Sequence, residues 1–199
     1  EFLTRAREKG LDVVGVELNQ QARMEAERKG FECHDLMLDE AARQWPEGFE
    51  VVCAFQVLEH VTEPLQFLRD ACTLLKPGGR LLIGVPDGSG WVSRSFNLLD
   101  LPPHHMSRWN AASLQFLSTC LPVQMEGIAE EPLAEHHVRS FINTVLMPWP
   151  ESQQLSRWQT GILKAIVKFL ARRLITWNLY QNLAGHSIFA EFVKNPKNE

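Results

Sequence analysis

The chain has 199 residues, with 20 Lys and Arg against 24 Asp and Glu, a formal charge of −4, and 45% apolar and 22% charged residues. This profile excludes disordered, collagen-like and coiled-coil chains, and it fits one domain with its own core or one domain plus an appendage. A net negative chain without a long basic run also argues against nucleic acid as the main partner.

The chain begins at Glu1, without Met, inside a predicted helix, which reads as processing or a fragment. Phe2 to Lys9 reads as the end of that helix, with Gly10 as its stop. Asp12 to Glu17 is β-branched and apolar, a buried strand. Gln20 to Lys29 has helical composition and ends at Gly30, and Phe31 to Asp35 is a short strand. Phe49 to Phe55 is a continuous apolar strand of the kind buried on both faces of a parallel sheet. Glu63 to Leu75 repeats apolar residues with helical spacing, with Thr62 as the expected N-cap and Pro64 just inside. Lys76-Pro77-Gly78-Gly79 is a turn, and Arg80 to Val85 is the next strand. Strands and helices alternating at this spacing predict βαβ units and a parallel sheet.

The second half changes character. Leu98 to Trp109 is a loop with two prolines, and Asn110 or Ser113 caps a helix running to about Cys120. Pro122 to Ala129 reads as a strand, residues 130–152 as irregular, Leu155 to Leu183 as one long helix or two, and His186 to Lys194 as a last, antiparallel strand. Charge divides unevenly: residues 1–150 carry net −8, 151–185 net +4 and 186–199 net zero. The expected organisation is a core over 1–129, a helical insertion or cap over 130–185, and the last core strand and tail over 186–199.

Cys33, Cys53, Cys72 and Cys120 form no CxxC pair and read as reduced thiols of a cytoplasmic protein. No signal-peptide pattern is visible, and no uncharged apolar run is long enough to span a membrane.

In doubly wound sheets, ligands bind beyond the carboxyl ends of the strands. Glu17 closes the first visible strand, where a carboxylate can accept from both ribose hydroxyls of a nucleotide cofactor; a solvated acid is the equal alternative. Asp35 closes the next strand, where it can accept from an adenine amino group while Leu36 covers the ring; a turn-forming Asp is the alternative. Gln56, Glu59 and His60 follow the third strand and fall over the expected crevice, unless Glu59 and His60 simply begin the next helix.

The runs AFQVLEHV and PLQFLRDACTLLKPGGRLLIGVPD resemble class I S-adenosylmethionine-dependent methyltransferases, in the branch of the ubiquinone-pathway enzymes and many bacterial relatives. DVVGVE, CHDL, PPHHMSRWNAASLQFL and GHSIFAEFVK are similar to further segments of that family, so the resemblance covers residues 1 to about 125 and 185 to 194. It implies an α/β, Rossmann-like doubly wound, mostly parallel sheet with an antiparallel last strand, and S-adenosylmethionine as cofactor. It places Glu17, with Leu18, at the ribose, Asp35 and Leu36 at the adenine, and Gln56, with Val57, beside the methionine part. It puts His60 and His105 near the acceptor, as candidates for the catalytic base. The implied reaction moves a methyl group to an O, N or C nucleophile of a small or lipid-like molecule.

The family's glycine-rich loop after its first strand is missing from this sequence, which reads as an N-terminal truncation of the domain. Its lack is also what a non-catalytic binding module would show. A nicotinamide-dependent oxidoreductase would use Glu17 equally well, but no Tyr-x-x-x-Lys pair exists and the only Tyr is Tyr180. Without a central strand, its apolar neighbours would be left with an open edge.

Two further features leave alternatives. His104 and His105, with Glu59 and His60, have the ligand types of a divalent-metal site, of a general base, or of a loop that never touches substrate. The stretch 155–183 sets Arg157, Lys164, Lys168 and Arg172 on one side and Trp158, Ile162, Ile166, Phe169 and Leu170 on the other. Such a helix either packs its apolar face onto the protein or lies at a membrane surface.

Overall fold

The computed structural model describes residues 2–95, 97–146 and 154–196. The glycine stops read from the sequence are used: α1 (Phe2–Glu8) and α2 (Gln20–Arg28) are followed by Gly10 and Gly30, both at positive φ. Asn19 caps α2, its side chain accepting from the Gln21 and Ala22 N–H groups at 2.9 and 3.1 Å. Between the two helices lies β1 (Val14–Val16), and after α2 comes β2 (Glu32–His34). An unexpected short helix, α3 (Leu38–Gln44), follows. Its first turn is closed by the Glu40 carboxylate, which accepts the Met37 N–H at 2.8 Å.

β3 (Phe49–Phe55), α4 (Pro64–Leu74) and β4 (Leu75–Pro86) come next. Pro64 is the first helical residue of α4, so Glu63 rather than Thr62 holds the cap position, with no side-chain hydrogen bond there. In α5 (Ala111–Cys120) both candidate caps act together: Asn110 accepts the Ser113 N–H and Ser113 accepts the Asn110 N–H, each at 2.9 Å. β5 (Val123–Pro132), α6 (Val138–Leu146), α7 (Arg157–Thr176) and β6 (Ala184–Lys194) complete the order.

The strands form two sheets. β1 and β2 pair in parallel, Val14 opposite Glu32 and Val16 opposite His34. The larger sheet has the order β3-β4-β6-β5; β4 is parallel to β3, and β6 runs antiparallel to both β4 and β5. Among the described residues no ladder joins β1 to β3. Instead α1 spans the interval, with Leu3 against Gly15 and Phe2 edge-on to Phe55 at 5.1 Å. The expectation of strands buried on both faces therefore fails here. Among the described residues β1 and β3 each have a strand partner on one side only, and Val16 and Val51 stay 41% and 44% exposed.

The main core lies between the larger sheet and α4 and α5. Leu68 and Cys72 of α4 and Leu114 and Leu117 of α5 meet Leu81, Ile83, Val85 and Phe192 of β4 and β6. Each such side chain contributes about 1.5–3 kcal/mol by leaving water. The same burial pushes the Cys53 and Cys72 thiols up to about 11. Gly84 is demanded by packing: a Cβ there would lie 2.6 Å from the Phe189 ring and 2.9 Å from that of Phe55.

Residues 130–152 are not irregular throughout: β5 runs to Pro132 and α6 covers Val138–Leu146. α6 and α7 share a second core of Val138, Ile142, Val167 and Ala171. That pair meets the sheet through Trp91, whose ring stands edge-on to Phe141 at 5.5 Å and whose Nε1–H donates to the Gly185 carbonyl at 2.8 Å. α7 turns inward with Val167, Ala171, Leu170 and Leu174; Trp158, Ile162, Ile166 and Phe169, read as candidates for a packed face, are exposed. No described helix is long and apolar enough to cross a membrane.

Candidate functional site

Three of the sequence candidates stand at the carboxyl ends of successive strands. Glu17 follows β1; it is half-buried, and its Oε1 accepts the Asn19 N–H at 2.8 Å, which anchors the carboxylate beside the start of α2. Asp35 follows β2, and its Oδ2 is paired at 3.0 Å with the Arg23 guanidinium, which also donates to the Glu17 carbonyl at 3.1 Å. Arg23 thus ties the two strand ends together. Leu36 is half-buried beside Asp35, packed with Ala41 and Ala42 of α3, while Leu18 is exposed beside Glu17.

Gln56 follows β3 with φ +55, unusual for a residue with a Cβ. Its backbone N–H donates to the Gly84 carbonyl at 2.7 Å and its side-chain amide to Ser187 Oγ at 3.3 Å. Two hydrogen bonds hold a conformation that costs roughly 1–3 kcal/mol, a pattern concentrated at functional sites. Val57, 39% exposed, comes next.

Leu58–His60 forms a single 3₁₀ turn, separate from the start of α4. Leu58 is fully buried and Glu59 is 2% exposed, whereas His60 faces out. The proline loop is stitched onto this turn. The Met106 and Ser107 N–H groups donate to the Glu59 carbonyl at 2.7 and 3.2 Å, and Ser107 Oγ donates to the Leu58 carbonyl at 3.3 Å. Trp109 Nε1–H in turn donates to Ser107 Oγ at 2.8 Å. At the end of β4, Asp87 Oδ1 accepts the N–H and hydroxyl of Ser89, and the Gly88 N–H donates to the Trp109 carbonyl at 2.7 Å.

This stitching brings three imidazoles together. His60 lies 5.0 and 4.9 Å, ring to ring, from His104 and His105, and those two are stacked on each other at 5.1 Å. The His60 Nδ1–H donates to the His104 carbonyl at 2.7 Å. His105 Nδ1 is 3.5 Å from Asp100. Burial, then the neighbouring His60, holds the His105 imidazole below the usual range, so the neutral ring is favoured. The adenosine-side candidates Glu17, Asp35 and Leu36 are thus grouped by Arg23 and α3, and the acceptor-side candidates His60 and His105 by the loop. His104, read from the sequence only as part of a possible metal or base group, joins the latter group, as does Asp100, which sequence reasoning did not single out.

The donor set suits an S-adenosyl group. A half-buried carboxylate, a second acid one strand further and an apolar flank are what a ribose diol, an adenine amino group and a purine ring require.

A family profile described as a methyltransferase domain matches residues 1–118. A ubiquinone biosynthesis O-methyltransferase of Aeromonas salmonicida is 35% identical over 81 residues, 38% of this chain and 34% of that protein. The matching stretch therefore spans about a third of that relative's length. A SAM-dependent methyltransferase from Archaeoglobus fulgidus superposes with a TM-score of 0.57 at 16% identity, over 98% of this chain and 80% of the other. The [4+2]-cyclase SpnF does so with a TM-score of 0.59 at 15% identity, over 98% and 70%. These superpositions show the Rossmann-like α/β fold expected from the sequence.

Proposed function

Since the chain belongs to the class I S-adenosylmethionine-dependent methyltransferase family, we propose that it serves methyl transfer to a nucleophile, favouring oxygen, on a small or lipid-like molecule. The observation that carries this reading is the alignment of Glu17, Asp35 and Gln56 at successive strand ends, opposite a histidine-bearing loop. The preference for oxygen leans on the Aeromonas relative, named as an O-methyltransferase.

S-adenosylmethionine supplies a methyl group on a sulfonium, activated for in-line displacement. Glu17 accepts from the ribose hydroxyls and holds the adenosine in place, with Leu18 alongside. Asp35 accepts from the adenine amino group and Leu36 covers the ring. Gln56, pinned by Gly84 and Ser187, and Val57 flank the methionine part. His60 or His105 receives the acceptor's proton; His105, favoured in its neutral form, offers a lone pair near neutral pH. Most of the rate would come from orientation.

The segment 130–185 serves in this reading as the acceptor-side cap. A mainly apolar cavity of about 360 Å³ beside α6 and α7, lined by Phe141, Ile142, Leu170, Leu174 and Trp177 with Arg173 among them, supports a lipid-like acceptor. Exposed Trp158, Ile162 and Phe169 beside Lys164, Lys168 and Arg172 on α7 support a peripheral contact of a cytoplasmic protein with an anionic membrane surface. One observation favours a binding module without catalysis: Glu17 and Gln56 follow strands of two sheets that no ladder joins among the described residues.

Calorimetric titration with S-adenosylhomocysteine separates the readings. Saturable one-to-one binding is expected. A folded chain that gives no binding heat sinks the methyltransferase assignment of these residues.

A further inference from the structure

The two helices between β5 and β6 enclose a second concavity, of opposite character to the apolar one. A cleft of about 630 Å³ lies between α6 and α7, lined from the first by Arg139, Ser140 and Asn143 and from the second by Lys164, Val167 and Lys168. His136, in the short turn Glu135–His137 before α6, lines it too. No residue lines both concavities. The helical register explains the lining. Val138 and Ile142 of α6 pack with Val167 and Ala171 of α7, and Arg139 and Asn143, one residue after the first two, stand beside that seam one turn apart. Lys164 and Lys168 are likewise one turn apart on α7.

The lining holds three cations and no acid. Neither α6 nor α7 contains an acidic residue, and Glu131 and Glu135, which precede α6, do not line the cleft. Elsewhere in the chain cations are paired: Arg23, Lys29, Arg43, Lys76, Arg80 and Lys194 each meet a carboxylate. Among the described residues no ion pair engages Arg139, Lys164 or Lys168. Like charges around one concavity repel each other and focus a positive potential into it, which a bound anion relieves.

The donor set selects among anions. The Arg139 fork can engage two oxygens at once, the lysines act as point charges, and Ser140 and Asn143 add neutral donors. A phosphate monoester carries about −1.5 to −2 near neutral pH, a match for three cations; a diester, with a single charge, leaves most of them uncompensated. The volume falls within the roughly 300–1,000 Å³ of small-molecule sites, so the group that carries the phosphate fits as well.

We propose that the cleft between α6 and α7 binds a phosphate monoester or diphosphate through Arg139, Lys164 and Lys168, with Ser140 and Asn143 as further donors. The site goes beyond the methyl-transfer reading and stands without it.

The test uses neither methyl donor nor acceptor, so its failure and that of methyl transfer are separable. The full chain is titrated calorimetrically with inorganic pyrophosphate, and one saturable site per chain is expected. Arg139→Gln, Lys164→Gln and Lys168→Gln should each weaken it about 10-fold or more. Arg172→Gln removes the same charge one turn beyond Lys168, outside the cleft, and should weaken it less than about 3-fold. All four side chains are exposed, and circular dichroism checks each fold. Two arms identify the source of the phosphate. Competition by glycerol 3-phosphate indicates a soluble monoester. Tighter retention on phosphatidic acid vesicles than on phosphatidylglycerol vesicles of equal surface charge, with the margin lost in Arg139→Gln, indicates a lipid one. No saturable pyrophosphate binding, an Arg172→Gln loss equal to that of Lys168→Gln, or neither competition nor margin, overturns the proposal.

Discussion

Leu58→Ala examines how the site is held up. Leu58 is fully buried in the main core, and the residues after it, Glu59 and His60, carry the turn on which the proline loop hangs. Truncating a fully buried Leu costs about 2.7–5 kcal/mol, growing with the cavity that stays open. Here the leucine belongs to a single 3₁₀ turn that can settle inward to fill part of the cavity, so the lower part of the range applies, about 3 kcal/mol. For a chain of this size that corresponds to a melting temperature lower by roughly 6–12 °C. Its neighbour provides the control: Val57 is 39% exposed, and Val57→Ala should cost about 0.5 kcal/mol or less. Urea unfolding followed by tryptophan fluorescence reads both, provided the slopes agree. Midpoints that place the two variants within about 1 kcal/mol of each other would refute the claim that core packing, rather than the loop's hydrogen bonds, supports the turn.

Glu17→Gln keeps the shape and one acceptor but removes the charge, and should weaken S-adenosylhomocysteine about 10- to 100-fold by calorimetry, as expected for loss of charge-assisted hydrogen bonds; an unchanged affinity rejects the ribose assignment. Burial lowers the pKa of both His105 and His137, so the unfolded chain binds more protons in the interval below the usual histidine value. Their contribution is therefore complete above about pH 6.5 and is lost as the pH falls through the lowered values; the double variant His105→Gln/His137→Gln should lose less stability than the parent between pH 7.5 and 5.5 in urea melts. Val51→Lys puts a charge on the open side of β3 and should raise the concentration at which light scattering detects self-association; no change would mean that this edge does not mediate it.

The alternation of strands and helices was legible because its signals are local: a β-branched run for β1, apolar runs for β3 and β4, glycines after α1 and α2, and the Asn110–Ser113 pair before α5. α3 escaped because Met37, at its N-cap position, is not a capping residue, although Glu40 three positions on was a usable sign. α6 escaped because its nine residues carry no side-chain capping signal and few charges, although Val138, Phe141, Ile142 and Val145 repeat at helical spacing. On α7 the apolar residues cover more than one face, and only the presence of α6 decides that Val167 and Ala171 turn inward while Trp158 and Phe169 do not. For the site, the strand-end acids were readable from position alone. The meeting of His60 with His104 and His105 depends on hydrogen bonds between segments more than 40 residues apart, from the Met106 N–H to the Glu59 carbonyl and from the His60 ring to the His104 carbonyl, which no local pattern encodes.

The two helices between β5 and β6 leave and re-enter the sheet at the paired residues Pro132 and Ala184. Adjacent strands lie only about 4.8 Å apart, so an ordinary hairpin turn could bridge the same two points. The whole excursion is thus a graft on a β-hairpin: its length and lining can be exchanged without moving Glu17, Asp35 or the 3₁₀ turn. On the proposed reading of 130–185 as an acceptor-side cap, the choice of acceptor could then be re-engineered without touching the residues proposed to hold the methyl donor.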